Sequence, residues 1–123
     1  MAITLNYITT ATQTTGGSSL TFSDVSIGSV SADRVVVVAI CSESNVPETF
    51  SGGTIGGNSA TEAVVVEGTS STVGTIVAIL YLAVPTGTTA TIVSNYSGSV
   101  FRGICSVWTL TGDTPELIDI DTD

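Results

Sequence analysis

The chain has 123 residues, contains no His, and has 11 acidic residues against two basic ones, which gives a formal net charge of −9. Both basic residues are Arg, so the chain lacks the His and Lys that serve as base, acid or nucleophile in most side-chain catalysis. Two Arg cannot form a basic stripe for nucleic acid, and the acidic balance also opposes binding to anionic membranes. The length fits one ordinary domain, and a mean hydropathy of +0.52 with 42% hydrophobic residues argues against disorder.

The pattern of residues predicts strands throughout and no helix. Apolar residues seldom recur with helical spacing, whereas Val, Ile and Thr alternate between turn signals rich in Gly, Ser and Pro. About eight strands are predicted, with residues 43–57 interpreted as a loop in which 54–55 pair briefly. In chain order the predicted strands are 3–9, 20–22 with a turn at 23–24 and a continuation at 25–27, 34–41, 60–67, 73–84, 89–96, 100–110 and a short segment at 117–118.

Two of these segments are apolar without alternation. Residues 34–41 (RVVVVAIC) are typical of a central strand that is covered on both faces. Residues 73–84 form the longest apolar stretch, but a membrane helix needs roughly 20 residues, so this stretch is interpreted as a buried strand.

This spacing of strands predicts an all-β fold. We expect an antiparallel β-sandwich, jelly-roll or Ig-like, in which residues 1–112 form a single domain. Residues 113–123 are expected to be an acidic C-terminal tail. Residues 1–6 have neither a basic region nor a long apolar region, so no secretory signal peptide is expected.

The cysteines and arginines occupy predicted strands. Strand parity places Arg34 opposite Cys41 and Arg102 opposite Cys105, so we expect both arginines to face outwards and both cysteines inwards. Free thiols and a disulfide both remain open for the cysteines. The candidate ion pairs are Asp24 with Arg34 and Asp33 with Arg102.

No arrangement of residues predicts a catalytic, cofactor or metal site. Four glutamates could supply a carboxylate pair, but they lie on a predicted loop or flank a strand, where charges are usually solvated: Glu43, Glu48, Glu62 and Glu67. Asp119, Asp121 and Asp123 resemble the opening of a calcium loop without its Gly and distal Glu. The Gly-rich residues 52–57 lack the Lys and the following helix of a phosphate loop.

A contact surface is expected at one end of the chain or the other. An open sheet edge accepts a strand from a neighbour, so either the segment 1–12 or the segment 113–123 is predicted to contact another subunit. The candidate interface residues are Ile3, Leu5, Tyr7, Arg34, Arg102, Leu117 and Ile118. A weaker hypothesis is a glycan platform formed by Tyr96 and Trp108.

Five strand and turn signatures follow one another in a familiar order. They are TFSDV at 21–25, DRVVVV at 33–38, GGTIGG at 52–57 with Ala60-Thr61, VPTGTTAT at 84–91, and VWTLTG at 107–112. This order resembles small β-sandwich proteins encoded among the structural genes of tailed bacteriophages. The resemblance covers residues 20–112, although such modules continue with further strands after the Trp-containing strand.

The resemblance implies a structural role in the virion and supplies no catalytic residues. The expected function is capsid decoration or cement, or a head fibre, bound non-covalently to the capsid exterior. The expected partners are the major capsid protein or other virion proteins and further copies of the chain, with a trimer as one possibility. The alternatives are an adhesion or carbohydrate-binding module on a fibre or tail, and a neck or tail component.

Overall fold

The computed structural model describes residues 2–70 and 72–112, which form nine strands and no helix. The tail 113–123, with Leu117, Ile118 and the three aspartates of the calcium hypothesis, lies outside the described residues. The strands are β1 (Thr4–Gln13), β2 (Gly17–Ser26), β3 (Val35–Ser44), β4 (Phe50–Ile55), β5 (Asn58–Ser59), β6 (Thr61–Thr69), β7 (Gly74–Ala83), β8 (Thr89–Val100) and β9 (Arg102–Thr111).

The strands form two antiparallel sheets, which confirms the predicted sandwich. The first sheet has the order β1-β9-β3-β7-β6 and the second has the order β2-β8-β4-β5. The pairs β1·β9, β2·β8, β3·β7 and β4·β5 are nested like one long hairpin rolled around a core. That nesting is the jelly-roll arrangement, with β6 added beside β7 as one extra strand.

Alternation along the strands builds the core between the sheets. On β3 the side chains of Val36, Val38 and Ile40 point inwards and are buried, and on β7 those of Ile76, Ala78 and Leu80 do the same. The second sheet contributes Leu20, Phe22, Ile55 and Ile92 from its inner face. Burial of these side chains is the main stabilising contribution to the fold, at about 25 cal/mol per Å² of apolar area.

The predicted loop at 43–57 is wrong at residues 43–44, which belong to β3, and at 50–53, which belong to β4, whereas the brief pairing predicted at 54–55 is confirmed. Residues Phe50–Ile55 form β4, which pairs with β8 and turns into β5 through Gly56 and Gly57 at φ 61° and 81°. Positive φ at both central residues is the geometry of a type I′ hairpin turn, which glycine adopts without strain. The glycines that suggested a loop therefore belong to a hairpin.

The expectation that 34–41 is covered on both faces is half right. The inner side of β3 is buried against the second sheet, whereas the outer side is open, with Cys41 exposed and Val37 and Ala39 only partly buried. The sequence of β3 is apolar on both sides, but the chain by itself covers only the inner side.

Candidate functional site

The outward-facing side of the five-stranded sheet is the candidate site, and we call it the outer face. Strand register arranges its side chains in rows that run across the sheet. From one end to the other, the rows are Leu5, Leu110, Val35 and Ala83; then Tyr7, Trp108, Val37, Tyr81 and Thr61; then Thr10, Ser106, Ala39, Ile79 and Val64; then Thr12, Ile104, Cys41, Val77 and Val66; and finally Arg102, Glu43, Thr75 and Gly68.

Large apolar side chains on the outer face are exposed to an unusual degree. The exposed fractions are 62% for Leu5, 58% for Tyr7, 59% for Val66, 42% for Ile104 and 38% for Val77. These five residues come from four of the five strands, so the exposure extends across the sheet. Exposed apolar side chains spread across a sheet are a feature by which binding surfaces are recognised.

Aromatic rings lie in the second row of the outer face. The rings of Tyr7 and Trp108 meet edge to face with their centroids 5.9 Å apart. The Tyr7 hydroxyl is hydrogen-bonded to Thr10 Oγ1 at 2.8 Å, and Thr10 Oγ1 is hydrogen-bonded to Ser106 Oγ at 2.9 Å. These hydrogen bonds fix the orientation of the exposed Tyr7 ring.

The last row holds the two charged side chains of the outer face. Arg102 Nε donates to Glu43 Oε2 at 2.6 Å, and the carboxylate raises the pKa of Arg102. The Arg102 guanidinium also lies 5.4 Å from the centre of the Phe101 ring. Beside this pair is a shallow groove of about 350 Å³ lined mainly by Thr12, Cys41, Glu43, Arg102 and Ile104. The outer face therefore carries no net charge.

Arg34 is not the outward-facing interface residue that strand parity suggested. It is 1% exposed, and its guanidinium donates to six backbone carbonyl oxygens: those of Ile27, Gly28, Ser29, Val84, Thr86 and Gly87. Burial lowers its pKa. The expected ion pair with Asp24 is wrong, because Arg34 instead ties the β2–β3 loop to the β7–β8 loop.

The expected pair of Asp33 with Arg102 is also wrong. The Asp33 carboxylate accepts hydrogen bonds from Ser31 Oγ and, at 2.7 Å, from the Gly112 amide. These two hydrogen bonds hold the pKa of Asp33 below its usual value. Asp33 therefore fastens the end of β9 to the β2–β3 loop.

The cysteines are free thiols on opposite sides of the first sheet. Cys105 is buried in the core, as predicted, and burial raises its pKa to about 12. Cys41 is exposed on the outer face, contrary to the prediction, because β3 faces the core with its even-numbered residues. Side chains on opposite faces of a sheet cannot form a disulfide without movement of the backbone.

Tyr96 is excluded from a glycan platform because it is 5% exposed. Its ring packs edge to face on Phe50 with centroids 5.9 Å apart, and its hydroxyl donates to Ser94 Oγ at 2.9 Å. Desolvation raises the pKa of Tyr96. Trp108 is on the outer face as a partly buried side chain, so the structure separates the two residues that the glycan hypothesis combined.

Two of the glutamates considered as a carboxylate pair accept hydrogen bonds from nearby strands and loops. Glu48 accepts from Ser97 Oγ at 2.6 Å, and Glu67 accepts from the Phe50 amide at 2.8 Å. Residues 2–70 and 72–112 contain no group of three or more His, Cys, Asp or Glu placed to hold a metal ion. In the same part of the chain no helix is long and apolar enough to cross a membrane.

Sequence reasoning identified part of the outer face and missed its centre. Leu5, Tyr7 and Arg102 were predicted contact residues and are exposed there, and Ile3 is exposed just ahead of β1. The missed residues are Val37, Val66, Val77, Ile79, Tyr81 and Ile104. Their signal was present, because β3 and β7 are apolar at both odd and even positions, as in strands covered twice.

No protein-family model, curated protein or solved structure matches this chain.

Proposed function

We propose that this chain is a non-catalytic structural protein that works as a subunit of a protein assembly. In the assembly a neighbouring protein subunit covers the outer face. The observation that carries this proposal is β3, an apolar central strand whose outer side remains open in the isolated chain. An apolar strand that is open on one side is protected from water and from aggregation when a partner covers that side.

The assembly that we propose is the virion of a tailed bacteriophage, with the protein on the capsid exterior as a decoration, cement or head-fibre protein. The resemblance of residues 20–112 to phage β-sandwich proteins supports this assignment. The jelly-roll arrangement also occurs in viral capsid domains, which supports the assignment by analogy of fold alone. The major capsid protein would then be bound through non-covalent contacts, and a neck or tail position is the variant of this proposal.

The number of copies in purified particles tests the assignment. Quantitative mass spectrometry should find the chain in particles at hundreds of copies each, as expected of a decoration protein. Chymotrypsin is the suitable protease because two Arg and no Lys give trypsin few cleavage sites. Absence from the particles would contradict the proposal, and tens of copies would favour a fibre or tail adhesin.

A second candidate function, binding of a host glycan, rests on the aromatic row of the outer face. Tyr7, Trp108 and Tyr81 lie in one row, and aromatic rings stack on the apolar faces of sugars. Titration of the protein with a glycan panel, followed by the emission of Trp108, tests this candidate. A response that is lost in both Tyr7→Ala and Trp108→Ala would support it, and the buried Tyr96 is not a suitable probe.

A further inference from the structure

The size of the outer face fits a stable protein contact. Five strands about 4.8 Å apart, with a rise of about 3.3 Å per residue over the length of β3, give a face of roughly 24 Å by 30 Å, or about 700 Å². A standard interface buries about 800 Å² on each partner. One partner of similar size would therefore cover the whole outer face.

The charge of the outer face restricts the partner. Its two charged side chains, Arg102 and Glu43, neutralise each other at 2.6 Å. The other described acids lie elsewhere: Asp24 in a bulge of β2, Asp33 and Glu48 in loops, and Glu62 and Glu67 on the edge strand β6, in register with inward-facing residues of β7. A basic partner gains no ion pair from a neutral apolar face, so the matching surface is itself neutral and apolar.

The chain itself presents such a surface. A two-fold contact places the same face on both partners, so the apolar side chains of one outer face meet the same mainly apolar surface of the other copy. The acids on the loops, on β2 and on β6 then stay outside the contact, which limits repulsion between two copies that each carry a net charge of −9. The contact gives β3 the second cover that its sequence predicts.

We infer that a second copy of this chain covers the outer face, so that the protein is a face-to-face homodimer. This inference rests on the proposed function, because it names the neighbouring subunit. In the dimer the first sheets of the two copies pack against each other, and four layers of sheet are stacked. Trp108, the one Trp of the chain, lies inside the contact and reports on it.

Sedimentation of the full chain from about 1 to 100 µM tests the inference. The expected mass is twice the 12.4 kDa of the chain, and dilution should shift the Trp108 emission to longer wavelength. The thiol of Cys41, on the same face, should react more slowly with a maleimide as the concentration rises. Sedimentation, Trp108 emission and Cys41 labelling are all measured on the unmodified chain.

Paired substitutions locate the contact. Val77→Lys and Ile104→Lys each place a charge on the outer face and should weaken the dimer by about 100-fold or more, because an unpaired ammonium group is costly to bury. Val30→Lys and Val46→Lys are matched controls, since these side chains are 58% and 51% exposed and lie in loops, outside the strands that form the outer face. The controls should dimerise like the unmodified chain, and circular dichroism should show all four variants folded.

Three results would overturn the inference. The first is a monomeric unmodified chain at 100 µM, whether the outer face is then covered by residues 113–123, by a different protein or by nothing. The second is a trimer, because a two-fold face-to-face contact closes at two copies. The third is a dimer that the face variants and the control variants weaken equally.

The proposed function is tested separately by retention of the variants on particles. If the unmodified chain is monomeric, but only Val77→Lys and Ile104→Lys lose retention on purified particles, a different subunit covers the outer face and the structural role stands. If the unmodified chain is monomeric and is not retained on particles, both proposals fail.

Discussion

At the scale of single residues, Arg34 has the largest structural role that the sequence did not reveal. Its guanidinium supplies donors to six carbonyl oxygens of two loops, and no acidic partner lies among residues 2–70 and 72–112. A planar group with five N–H donors suits this task, whereas an ammonium group reaches fewer acceptors from one point. The sequence showed only a charge beside an apolar strand, and a charge in that position usually faces solvent.

Replacement of Arg34 should destabilise the fold even when positive charge is kept. Arg34→Lys and Arg34→Met should each lower the free energy of unfolding by about 2–4 kcal/mol, because several carbonyl oxygens lose a charged donor. Urea denaturation measures this loss. Arg102→Met is the matched control, and the unfolding midpoint should change little because Arg102 is 61% exposed and its ion pair is screened by water. Equal losses for the two arginines would contradict the role assigned to Arg34.

The two thiols should differ sharply in reactivity. Cys41 is exposed and should react with a maleimide in the folded monomer, whereas Cys105 is buried with a pKa of about 12 and should react only after unfolding. Mass spectrometry of labelled protein should show one label per folded chain, on Cys41, and a second only in denaturant. Two rapid labels on folded protein would contradict the burial of Cys105.

At the scale of elements, alternation predicted the strands, and glycine was the main source of error. Most of β1, β3, β6, β7, β8 and β9 was predicted from apolar spacing, because each has a face that the core must cover. In β4 only the pairing of residues 54–55 was predicted, and residues 50–53 were missed because Gly52 and Gly53 look like loop residues. Gly53 is in a strand for a reason that is visible only in three dimensions: an added Cβ would lie 2.6 Å from Leu80 Cδ1 and 2.8 Å from the Val93 carbonyl oxygen.

Gly53 should therefore resist substitution. Gly53→Ala should lower the free energy of unfolding by about 1–3 kcal/mol, because β4 must move away from the backbone of β8 and from the first sheet. Gly68→Ala is the control on β6, where the nearest atom to an added Cβ is the Thr75 carbonyl oxygen at 3.4 Å, and its stability should change by less than about 1 kcal/mol. Thermal or urea unfolding measures the loss in both variants. A loss confined to Gly53→Ala indicates close packing at Gly53, whereas equal losses indicate a general cost of removing glycine from a strand.

Local sequence reasoning also could not predict which side of each strand faces outwards. Parity correctly placed Arg34 opposite Cys41 and Arg102 opposite Cys105, but it could not say which side faces the core. On β9 the assignment was right, and on β3 it was reversed. A strand that is apolar on both sides does not encode its orientation, so the pairing of β3 with β7 and β9 decides it.

At the scale of the whole molecule, the absence of His gives a simple dependence on pH. Because His is absent, no type of side chain in the sequence has an ordinary pKa between about 6 and 8, so stability should change little over about that range. The pKa of Asp33 is lowered from 3.8, so its stabilising contribution is complete above that value and is lost as the pH falls through its folded pKa.

At alkaline pH the dependence of stability on pH is reversed, so that stability falls as the pH rises. Cys105 has a folded pKa of about 12 against 9.0 for the free thiol, and the pKa of Tyr96 is raised in the same direction. Their contribution is complete below about pH 9 and is lost as the pH rises towards 12, because the unfolded chain releases protons that the core retains. Melting temperatures should fall above pH 9, and less steeply in Cys105→Val. An identical alkaline slope in that variant would contradict the assignment.

The nested pairing of the strands has a consequence for biosynthesis. β9 is inserted between β1 and β3, so the first sheet cannot close until the last of the nine strands has left the ribosome. Until then the nascent chain holds the apolar segment of β3 without its eventual neighbour, and β1 has no strand beside it. Strand pairings between residues far apart in the sequence slow folding and leave incomplete chains prone to aggregation. Production of this protein should therefore benefit from slow translation and low temperature.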